Sequence, residues 1–451
     1  MDAMTLHDLA EACGGRLLCG DGSRTVETIG KDSRTLQPGE LYWALRGENF
    51  DGHKFVAAVA AAGAAGAVVE RVTGDEPRGW PLIQVADSQE ALWRLAAWHR
   101  NRLALRVVCL TGSNGKTSTK DFAASIAATR FAVNRTEGNL NNHLGLPLTI
   151  LSARSSDEVA VWEIGMNHPG EIEPLARLAQ PHIGIITNIG VAHIEFLGSR
   201  EGIAREKGML GEVLAAEASL ILPADDEFTP SLAARTKARV VLVGSADGVR
   251  AENTRPSAHG LDFDLVRGGE RVSAHLPVTG EHMVRNALLA VTAGLELGLS
   301  LRECASGLAA AKLSKGRLGC LNIRGVTVLD DSYNANPDSM EAALHALRGL
   351  PGGGRRLAVL GRMGELGSYA DEGYRRVGRT AAATMDALIV VGAEAEALAV
   401  EAEKAGACEV LRAADAAEAA RVLRELARPG DAVVVKGSRA ARMELVLEEF
   451  A

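Results

Sequence analysis

Aromatic residues are scarce in this chain, and positive charge is not in excess. Phe, Trp and Tyr make up 4% of the 451 residues, and the formal net charge is −8. Few rings leave little surface for stacking nucleobases. A chain of net negative charge also lacks the surplus of Lys and Arg with which proteins bind a phosphate backbone. We therefore expect no nucleic-acid partner.

Long apolar runs and paired cysteines are missing as well. The nearest candidate for a membrane span, the Ala-rich segment 57–69, is shorter than the ~18 residues required. The N-terminal MDAMTLHDLAEACGG has no basic stretch followed by an apolar run, so it does not match a signal peptide. The six cysteines include no CxxC pair, which favours reduced core thiols over zinc ligands or disulfides. These absences predict a cytoplasmic protein without a membrane span.

Short β-branched runs alternate with longer stretches rich in Ala and Leu. Such alternation is typical of parallel βαβ units, and the nearly continuous apolar character of the runs indicates sheets covered on both faces. The strand candidates are 106–110, 159–163, 183–187, 220–222, 240–243, 326–329, 356–360, 387–391 and 432–435.

The alternation falls into three blocks, which we predict to be three α/β domains at 1–103, 104–314 and 315–451. The second boundary lies in the polar, glycine-containing stretch 315–319. The Ala-rich stretch 413–420 predicts helix.

A glycine-rich turn follows the strand at 106–110. Gly112 and Gly115 let the backbone fold closely around phosphate oxygens, and the N–H groups at a helix start form an anion-binding site. Lys116 can reach the terminal phosphates, and the Thr117 hydroxyl can bind Mg²⁺. We predict that this turn binds a nucleotide through Thr111, Gly112, Ser113, Asn114, Gly115, Lys116, Thr117 and Ser118.

The match to the general pattern GxxxxGK[ST] is incomplete, because Leu110 stands where the pattern has its first glycine. The alternative is a chance Gly-Lys-Thr at a helix start, which the strand before the turn and the helix after it disfavour. The turn by itself names no reaction.

The variant TGSNGKTS resembles the loop of the Mur ligase superfamily, which also contains folylpolyglutamate synthase. Members join a carboxylate to an amine through an acyl phosphate. Other segments resemble the family in order along nearly the whole chain: DSRTLQPGELYWALRGENFDGHKF (32–55), EGNLNNHLGLPLT (137–149), WEIGMNHPGEI (162–172), TNIGVAHIEFLGS (187–199), GVTVLDDSYNANPDSM (325–340), LGRMGELG (360–367) and VVVKGSRAARME (433–444).

The resemblance implies a small N-terminal α/β domain for a UDP substrate, a central P-loop ATPase-like parallel sheet and a C-terminal Rossmann-like ligase domain. The segments are most similar to the member that joins D-alanyl-D-alanine to a UDP-N-acetylmuramoyl tripeptide. The stretch DDSYNANP, at 330–337, distinguishes that member from its siblings, and the Asp-Asn-Pro-Arg signature of the diaminopimelate-adding type is absent.

The resemblance also implies Mg²⁺, bound by Thr117, Glu163 and His193. Glu163 ends an apolar strand, and ligands collect at that edge of an open α/β sheet. The alternatives are a surface carboxylate at Glu163 and a merely hydrogen-bonded His193. A nitrogen ligand is atypical for Mg²⁺, so the histidine rests on the resemblance alone.

Lys207 lies in a helix predicted at 201–214. In several relatives the corresponding lysine is carbamylated, which turns a cation into an anion able to hold a metal. An unmodified ammonium would repel Mg²⁺ or contact phosphate. The alternative is an ordinary solvent-facing lysine.

Three further nucleotide contacts follow from the resemblance, with surface polarity as the alternative for each. Asn286, at a predicted helix start, would lie near the adenine, and Asp331 would bind the ribose. Arg317 would reach the terminal phosphate, because a guanidinium can pair with two phosphate oxygens. The predicted catalytic set is Lys116, His193, Lys207 and Arg317.

Substrate contacts are predicted at both ends of the chain. Ser33 and Arg34 precede a Pro-Gly turn that suits a uridine diphosphate, although LYWAL replaces the LFVAL type of the relatives and leaves the uridine contacts less defined. The predicted substrate-binding set is Ser33, Arg34, Asn139, Tyr333, Asn334, Asn336, Lys436, Ser438 and Arg439.

The predicted function is therefore ligation of D-alanyl-D-alanine to a UDP-N-acetylmuramoyl tripeptide by a monomer that uses ATP and Mg²⁺, in peptidoglycan precursor synthesis. The third residue of the tripeptide, diaminopimelate or lysine, stays open. One alternative is another amide ligase of the superfamily, such as folylpolyglutamate synthase. A second is a P-loop ATPase that acts as a switch.

Overall fold

The computed structural model describes residues 1–47, 50–257 and 260–451. Glu48 and Asn49 of the predicted uridine segment lie outside the described residues. The chain divides into two compact units. One comprises Met1–Val107, Phe131–Ile164 and Pro174–Pro181, and the other Val108–Arg130, Gly165–Glu173 and His182–Ala451. No helix in the described ranges is long and apolar enough to cross a membrane.

The N-terminal region of the first unit is built on a five-stranded sheet in the order β2-β7-β6-β5-β4, parallel except for β2. Tyr42 and Trp43 are fully buried in it. The Tyr42 hydroxyl donates to Gly52 O (3.0 Å), and Trp43 Nε1 donates to Ser88 O (2.8 Å). The two residues by which LYWAL differs from the LFVAL of the relatives are therefore part of the packed interior of this domain. The elements are β1 (Met4–Thr5), α1 (Leu6–Ala12), β2 (Arg16–Cys19), β3 (Thr25–Val26), β4 (Ile29–Gly30), β5 (Leu41–Trp43), α2 (Val56–Ala61), β6 (Gly66–Val69), β7 (Leu82–Gln84) and α3 (Ser88–Arg100).

The middle of the chain continues the alternation of strands and helices. Its elements are β8 (Arg106–Thr111), α4 (Lys116–Ala127), β9 (Val133–Arg135), α5 (Gly145–Ser152), β10 (Val159–Glu163), α6 (Ile172–Ala179), β11 (Ile183–Ile186), α7 (Ile194–Leu197), α8 (Arg200–Val213), β12 (Ser219–Pro223), α9 (Thr229–Ala233), β13 (Arg239–Val243), β14 (Arg250–Ser257), β15 (Gly260–Arg267), β16 (Glu270–Leu276), α10 (Glu281–Glu296) and α11 (Leu301–Ala309).

Parallel pairing dominates this middle region. In the second unit the strands run β13-β12-β11-β8, all parallel. In the first unit β9 pairs in parallel with β10. Three antiparallel strands, in the order β14-β15-β16, form a separate sheet. Buried Leu261, Phe263 and Leu265 alternate with more exposed residues along β15.

The C-terminal part of the second unit is a six-stranded sheet in the order β17-β18-β22-β19-β20-β21, parallel except for β17. Its core consists of apolar side chains from the strands and from the last two helices. The elements are β17 (Gly319–Ile323), β18 (Val326–Asp331), α12 (Pro337–Arg348), β19 (Arg356–Leu360), α13 (Ala370–Thr384), β20 (Ala387–Val391), α14 (Glu396–Ala405), β21 (Glu409–Ala413), α15 (Ala416–Leu426), β22 (Ala432–Lys436) and α16 (Glu444–Phe450).

The predicted α/β class with parallel sheets is confirmed, and all the predicted strands are present with ends that differ by one or two residues at most. The prediction of helix over 413–420 was partly wrong. Ala413 ends β21, and α15 begins only at Ala416, because Asp415 accepts a hydrogen bond from Glu418 N and caps the helix there. Asn286 lies in the second turn of α10 rather than at its start.

A glycine fixes the close packing of α11 on α4, the helix that follows the glycine-rich turn. A Cβ on Gly307 would lie 2.5 Å from Ile126 Cα and 3.0 Å from Ile126 N. We expect Gly307→Ala to lower the free energy of unfolding by about 1–3 kcal/mol, because the helix backbones must separate. Denaturant unfolding followed by circular dichroism measures this. Gly319→Ala is the control, since nothing lies within 4 Å of its added Cβ. Equal shifts for both variants would contradict the packing argument.

Candidate active site

The turn between β8 and α4 requires glycine at two positions. Gly112 has φ 152° and Gly115 has φ 77°. A Cβ on Gly112 would lie 1.8 Å from Thr187 Oγ1, and one on Gly115 would lie 2.4 Å from Asn286 Oδ1. Buried Asn286 therefore packs against the turn. The N–H groups of the first turn of α4 have no acceptor within the helix, so this geometry suits an anion.

The residues after β11 hold the turn in shape. Thr187 Oγ1 donates to Asn114 O (2.5 Å), and Ser113 N donates to Asn188 O (3.0 Å). The Asn188 amide accepts from Asn114 N and donates to Asn114 O, both at 3.0 Å. Neither Thr187 nor Asn188 was predicted as a site residue. The signal was available in TNIGVAHIEFLGS, whose first two residues they are.

Three predicted phosphate-binding side chains meet at the start of α4. Lys116 Nζ donates to Gly112 O (2.8 Å), so the lysine folds back over the turn. Arg317 Nη2 lies 3.4 Å from Thr117 Oγ1, and its guanidinium stacks 4.3 Å from the centre of the Tyr333 ring. Two cations beside a helix N-terminus favour a bound anion.

His193 contacts a carboxylate that sequence reasoning did not single out. Its Nδ1 forms a short hydrogen bond with Glu365 Oε2. Both residues have positive φ, 66° and 59°, a conformation that surrounding contacts must hold in place. Glu365 lies in LGRMGELG, a segment quoted for the resemblance without an assigned residue.

The environment of the His193 ring favours its neutral form. Burial lowers the pKa of His193, the Glu365 hydrogen bond opposes this, and the charges of Lys207 and Lys116 lower the pKa further. The bond to His193 in turn lowers the pKa of Glu365. A neutral ring that donates from Nδ1 to a carboxylate presents Nε2 as an acceptor or metal ligand.

Lys207 is buried, with 1% of its surface exposed, so it is not the solvent-facing lysine of the alternative reading. It lies on α8 next to Glu206, whose carboxylate accepts from Gly170 N (2.8 Å) and Ile172 N (2.9 Å). Lysine is rarely buried this far without partners or modification.

In the first unit, Glu163 ends β10 and is 2% exposed, which excludes the alternative of a surface carboxylate. Its Oε1 accepts from Asn141 Nδ2 (2.7 Å), and its N–H donates to Thr136 Oγ1 (2.9 Å). The predicted Asn139 is exposed. Asn141, from the same NLNN run, is the residue that sequence reasoning missed.

Within the described ranges, no group of three or more His, Cys, Asp and Glu side chains is arranged to hold a metal ion.

Asp331 and Lys436 form a buried ion pair at the carboxyl edge of the C-terminal sheet. They end the neighbouring strands β18 and β22 in register. Lys436 Nζ lies 2.5 Å from Asp331 Oδ2 and donates to Asn334 O (2.9 Å). Burial lowers the pKa of Lys436, and the charge of Asp331 opposes this. Lys436 therefore holds the carboxylate of Asp331, the predicted ribose contact, in place. The predicted contact of Lys436 itself with the dipeptide stays a prediction.

Ser438 presents a buried hydroxyl with no hydrogen-bond partner among the described residues. Its N–H donates to Arg362 O (2.7 Å). A buried hydroxyl without a hydrogen-bond partner destabilises the folded state unless a ligand or water supplies the missing bond. Ser438 therefore fits its predicted role in substrate binding. Arg439 is exposed and donates to Glu444 (3.0 Å).

The segment after β18 contacts the glycine-rich turn directly. Asn336 caps α12 and also donates from Nδ2 to Asn114 Oδ1 (2.7 Å). Asp338, not predicted as a site residue, accepts from Val191 N (3.0 Å) and from Arg376 Nη2 (2.6 Å). The Asn336 bond thus joins the C-terminal part of the chain to the glycine-rich turn, and the Val191 bond joins it to the segment after β11.

The predicted uridine residues lie on the surface of the first unit. Arg34 forms two hydrogen bonds with Asp32, at 2.9 and 2.7 Å, and its side chain is 85% exposed. Ser33 is partly exposed. Their contact with a uridine diphosphate stays a prediction.

Three family profiles match successive parts of the chain. The Mur ligase family catalytic domain matches residues 25–100, the Mur ligase middle domain 110–294, and the Mur ligase glutamate ligase domain 316–439. The middle-domain match contains the phosphate turn, Glu163, His193 and Lys207.

Proteins of this family resemble the chain over its full length. The UDP-N-acetylmuramoyl-tripeptide--D-alanyl-D-alanine ligase of Bacillus subtilis is 33% identical over 450 residues, which cover 99% of this chain and 98% of that protein. The crystal structure of MurF from Acinetobacter baumannii has a TM-score of 0.90 at 34% identity and covers 100% of this chain and 99% of that one.

A third match is to MurF from Thermotoga maritima, solved in complex with ADP. It has a TM-score of 0.81 at 27% identity and covers 94% of this chain and 97% of that one. Profile, sequence and structure thus agree along the whole chain, and the chain belongs to the Mur ligase family.

Proposed function

We propose that this chain joins D-alanyl-D-alanine to a UDP-N-acetylmuramoyl tripeptide in a reaction driven by ATP. The observation that carries the proposal is the glycine-dependent turn at 111–118, with Lys116 and Arg317 beside it. The full-length likeness to relatives named for this reaction supports the choice of substrates.

The residues present fit a nucleotide. A side chain at Gly112 would collide with Thr187 and one at Gly115 with Asn286, so this close turn needs glycine at both positions. The buried Thr111 hydroxyl has no partner among the described residues. Asn286 at the turn and Asp331, which Lys436 holds in place, are the proposed adenine and ribose contacts. The relative solved with ADP supports this use of the site.

The proposed reaction has two steps. An oxygen of the tripeptide's terminal carboxylate attacks the γ-phosphorus of ATP, the bond to the β-phosphate oxygen breaks, and ADP leaves. The amine of D-alanyl-D-alanine then attacks the acyl carbon of the resulting acyl phosphate, loses a proton and displaces phosphate. Lys116 and Arg317 stabilise the charge that spreads over the transferring phosphoryl group.

Mg²⁺ would supply further positive charge at the phosphates, with Thr117, Glu163 and His193 as its proposed ligands. Glu365 holds the His193 ring through Nδ1, so Nε2 is the nitrogen that would be available to a metal. Lys207, as a carbamate, would add an anion to this set. Closure around the substrates would exclude water, which otherwise hydrolyses the acyl phosphate.

The remaining substrate contacts are proposals of the same kind. Tyr333, which stacks on Arg317, Asn334, and Asn336, which bonds Asn114, are proposed to face the nucleotide or the incoming dipeptide. Ser438 with Arg439 is the proposed site of the dipeptide carboxylate. The monomeric state, the cytoplasmic location and the domain bounds stay predictions.

An omission assay separates this function from its alternatives. Phosphate release is measured with ATP, Mg²⁺, the UDP-muramoyl tripeptide and D-alanyl-D-alanine, and each component is left out in turn. We expect full release only with all four. Release without an acceptor indicates an ATPase switch. Release with folate and glutamate, or with a single amino acid in place of the dipeptide, indicates another ligase of the superfamily.

We expect Lys116→Ala to lower kcat by about 100-fold or more, because a cation that faces the developing phosphoryl charge is lost. Amide formation under saturating substrates measures the effect, and thermal melting verifies the fold. Lys237→Ala, at an exposed lysine of the same unit, should leave the rate unchanged. A rate within about threefold of the unmodified protein in Lys116→Ala would contradict the assignment.

A carbamate forms when the Lys207 amine attacks CO₂ and loses a proton. We expect protein equilibrated with ¹³C-labelled bicarbonate to show one carbamate carbonyl resonance, and kcat to rise with added bicarbonate after CO₂ is depleted. Lys207→Arg should lack the resonance, because a guanidinium does not form this adduct. A resonance that persists in the variant would place the carbamate elsewhere, and its absence from the unmodified protein would contradict the proposal.

A further inference from the structure

The segment 310–318 connects α11 to β17 and carries Arg317. Its backbone turns sharply there, since Gly316 has φ 70° and Leu318 has φ 56°. Gly316 O accepts a hydrogen bond from Tyr333 N (3.3 Å). The residue directly before Arg317 is thus attached to the segment that follows β18.

Two residues before Gly316, at Ser314, the segment is attached to α4, the helix that follows the glycine-rich turn. Asp121 Oδ2 accepts hydrogen bonds from both the N–H and the hydroxyl of Ser314, each at 2.8 Å. Asp121 is 2% exposed, and its Oδ1 lies 3.1 Å from Lys120 Nζ. A buried carboxylate with these partners makes strong, directional bonds.

The spacing relates this contact to the phosphate turn. Asp121 follows Thr117 by four residues on α4, so the two side chains lie one turn apart on the same helix face. Ser314 precedes Arg317 by three residues. The contact of Asp121 with Ser314 therefore runs beside the contact of Thr117 with Arg317.

We infer that Asp121 and Ser314 are a positioning pair that holds Arg317 against the phosphate turn. Arg317 has a long side chain, and its guanidinium can face a phosphoryl group reproducibly only if its backbone is fixed relative to α4. The ring of Tyr333 supports the guanidinium from the C-terminal side. The inference rests on the proposed role of Arg317.

The competing explanation is that the pair only stabilises the fold. In that case, removing the pair would lower the melting temperature, and its effect on rate and affinity would be the same with and without Arg317. A positioning pair acts through Arg317, so its loss should have no further effect once the guanidinium is gone. A double-mutant cycle separates the two explanations.

The experiment uses the full chain with Ser314→Ala, Asp121→Asn and Arg317→Ala, alone and combined. Ser314→Thr keeps the hydroxyl, and Lys315→Ala alters an exposed neighbour in the same segment. Single-turnover amide formation gives the rate, and binding of a non-hydrolysable ATP analogue gives a readout without any acceptor. Thermal melting is recorded for every variant.

We expect Ser314→Ala and Asp121→Asn each to lower the single-turnover rate by about tenfold, because the loss of one charge-assisted hydrogen bond raises the activation free energy of the reaction. They should also weaken binding of the ATP analogue. Neither should lower rate or affinity further in the Arg317→Ala background. Ser314→Thr and Lys315→Ala should behave like the unmodified protein.

Equal losses with and without Arg317 would overturn the inference, as would unchanged rate and affinity in both single variants. If the unmodified protein makes no product with D-alanyl-D-alanine, the proposed function fails. The analogue-binding cycle then still decides whether the pair acts through Arg317.

Discussion

The fixed shape of one turn, at residues 111–118, is the constraint on which the rest of the site depends. Its backbone can present N–H groups to an anion only because Gly112 and Gly115 lack side chains, while Thr187 and Asn188 hold Ser113 and Asn114 from the neighbouring strand end. The phosphate-binding surface is therefore formed by the backbone N–H groups of the turn. The charged side chains around the turn act on a preformed phosphate-binding surface.

Within the second unit, groups distant in sequence contact this turn and the nearby predicted site residue His193. Asn336 bonds Asn114, Arg317 contacts Thr117, and Glu365 bonds His193. Each bond pairs a residue of the central sheet region with one from beyond the end of α11. The arrangement that completes the phosphate site is thus the same one that brings the C-terminal sheet region against it, and this links substrate assembly to catalysis.

Much of the fold was predictable, because apolar runs of strand length indicate buried strands, as at 159–163, 356–360 and 387–391. The β14–β16 sheet was missed although alternation along β15 signalled it. Sequence motifs located the turn, Lys116, Arg317 and His193. They did not identify Glu365, Asn188 or Asp338, because a partner's role depends on which side chains the fold brings within hydrogen-bond distance. Lys436 illustrates the limit, since its burial beside Asp331 is visible only in three dimensions.

Calorimetric titration of ADP into the unmodified protein, Gly112→Ala and Gly319→Ala tests most directly whether the glycine-rich turn binds the nucleotide. We expect Gly112→Ala to raise the Kd by at least about tenfold, a loss of about 1.4 kcal/mol, because the added methyl group displaces Thr187 and opens the turn. Gly319→Ala should bind like the unmodified protein. Equal affinity of all three proteins would contradict the claim that the glycine turn is the nucleotide site.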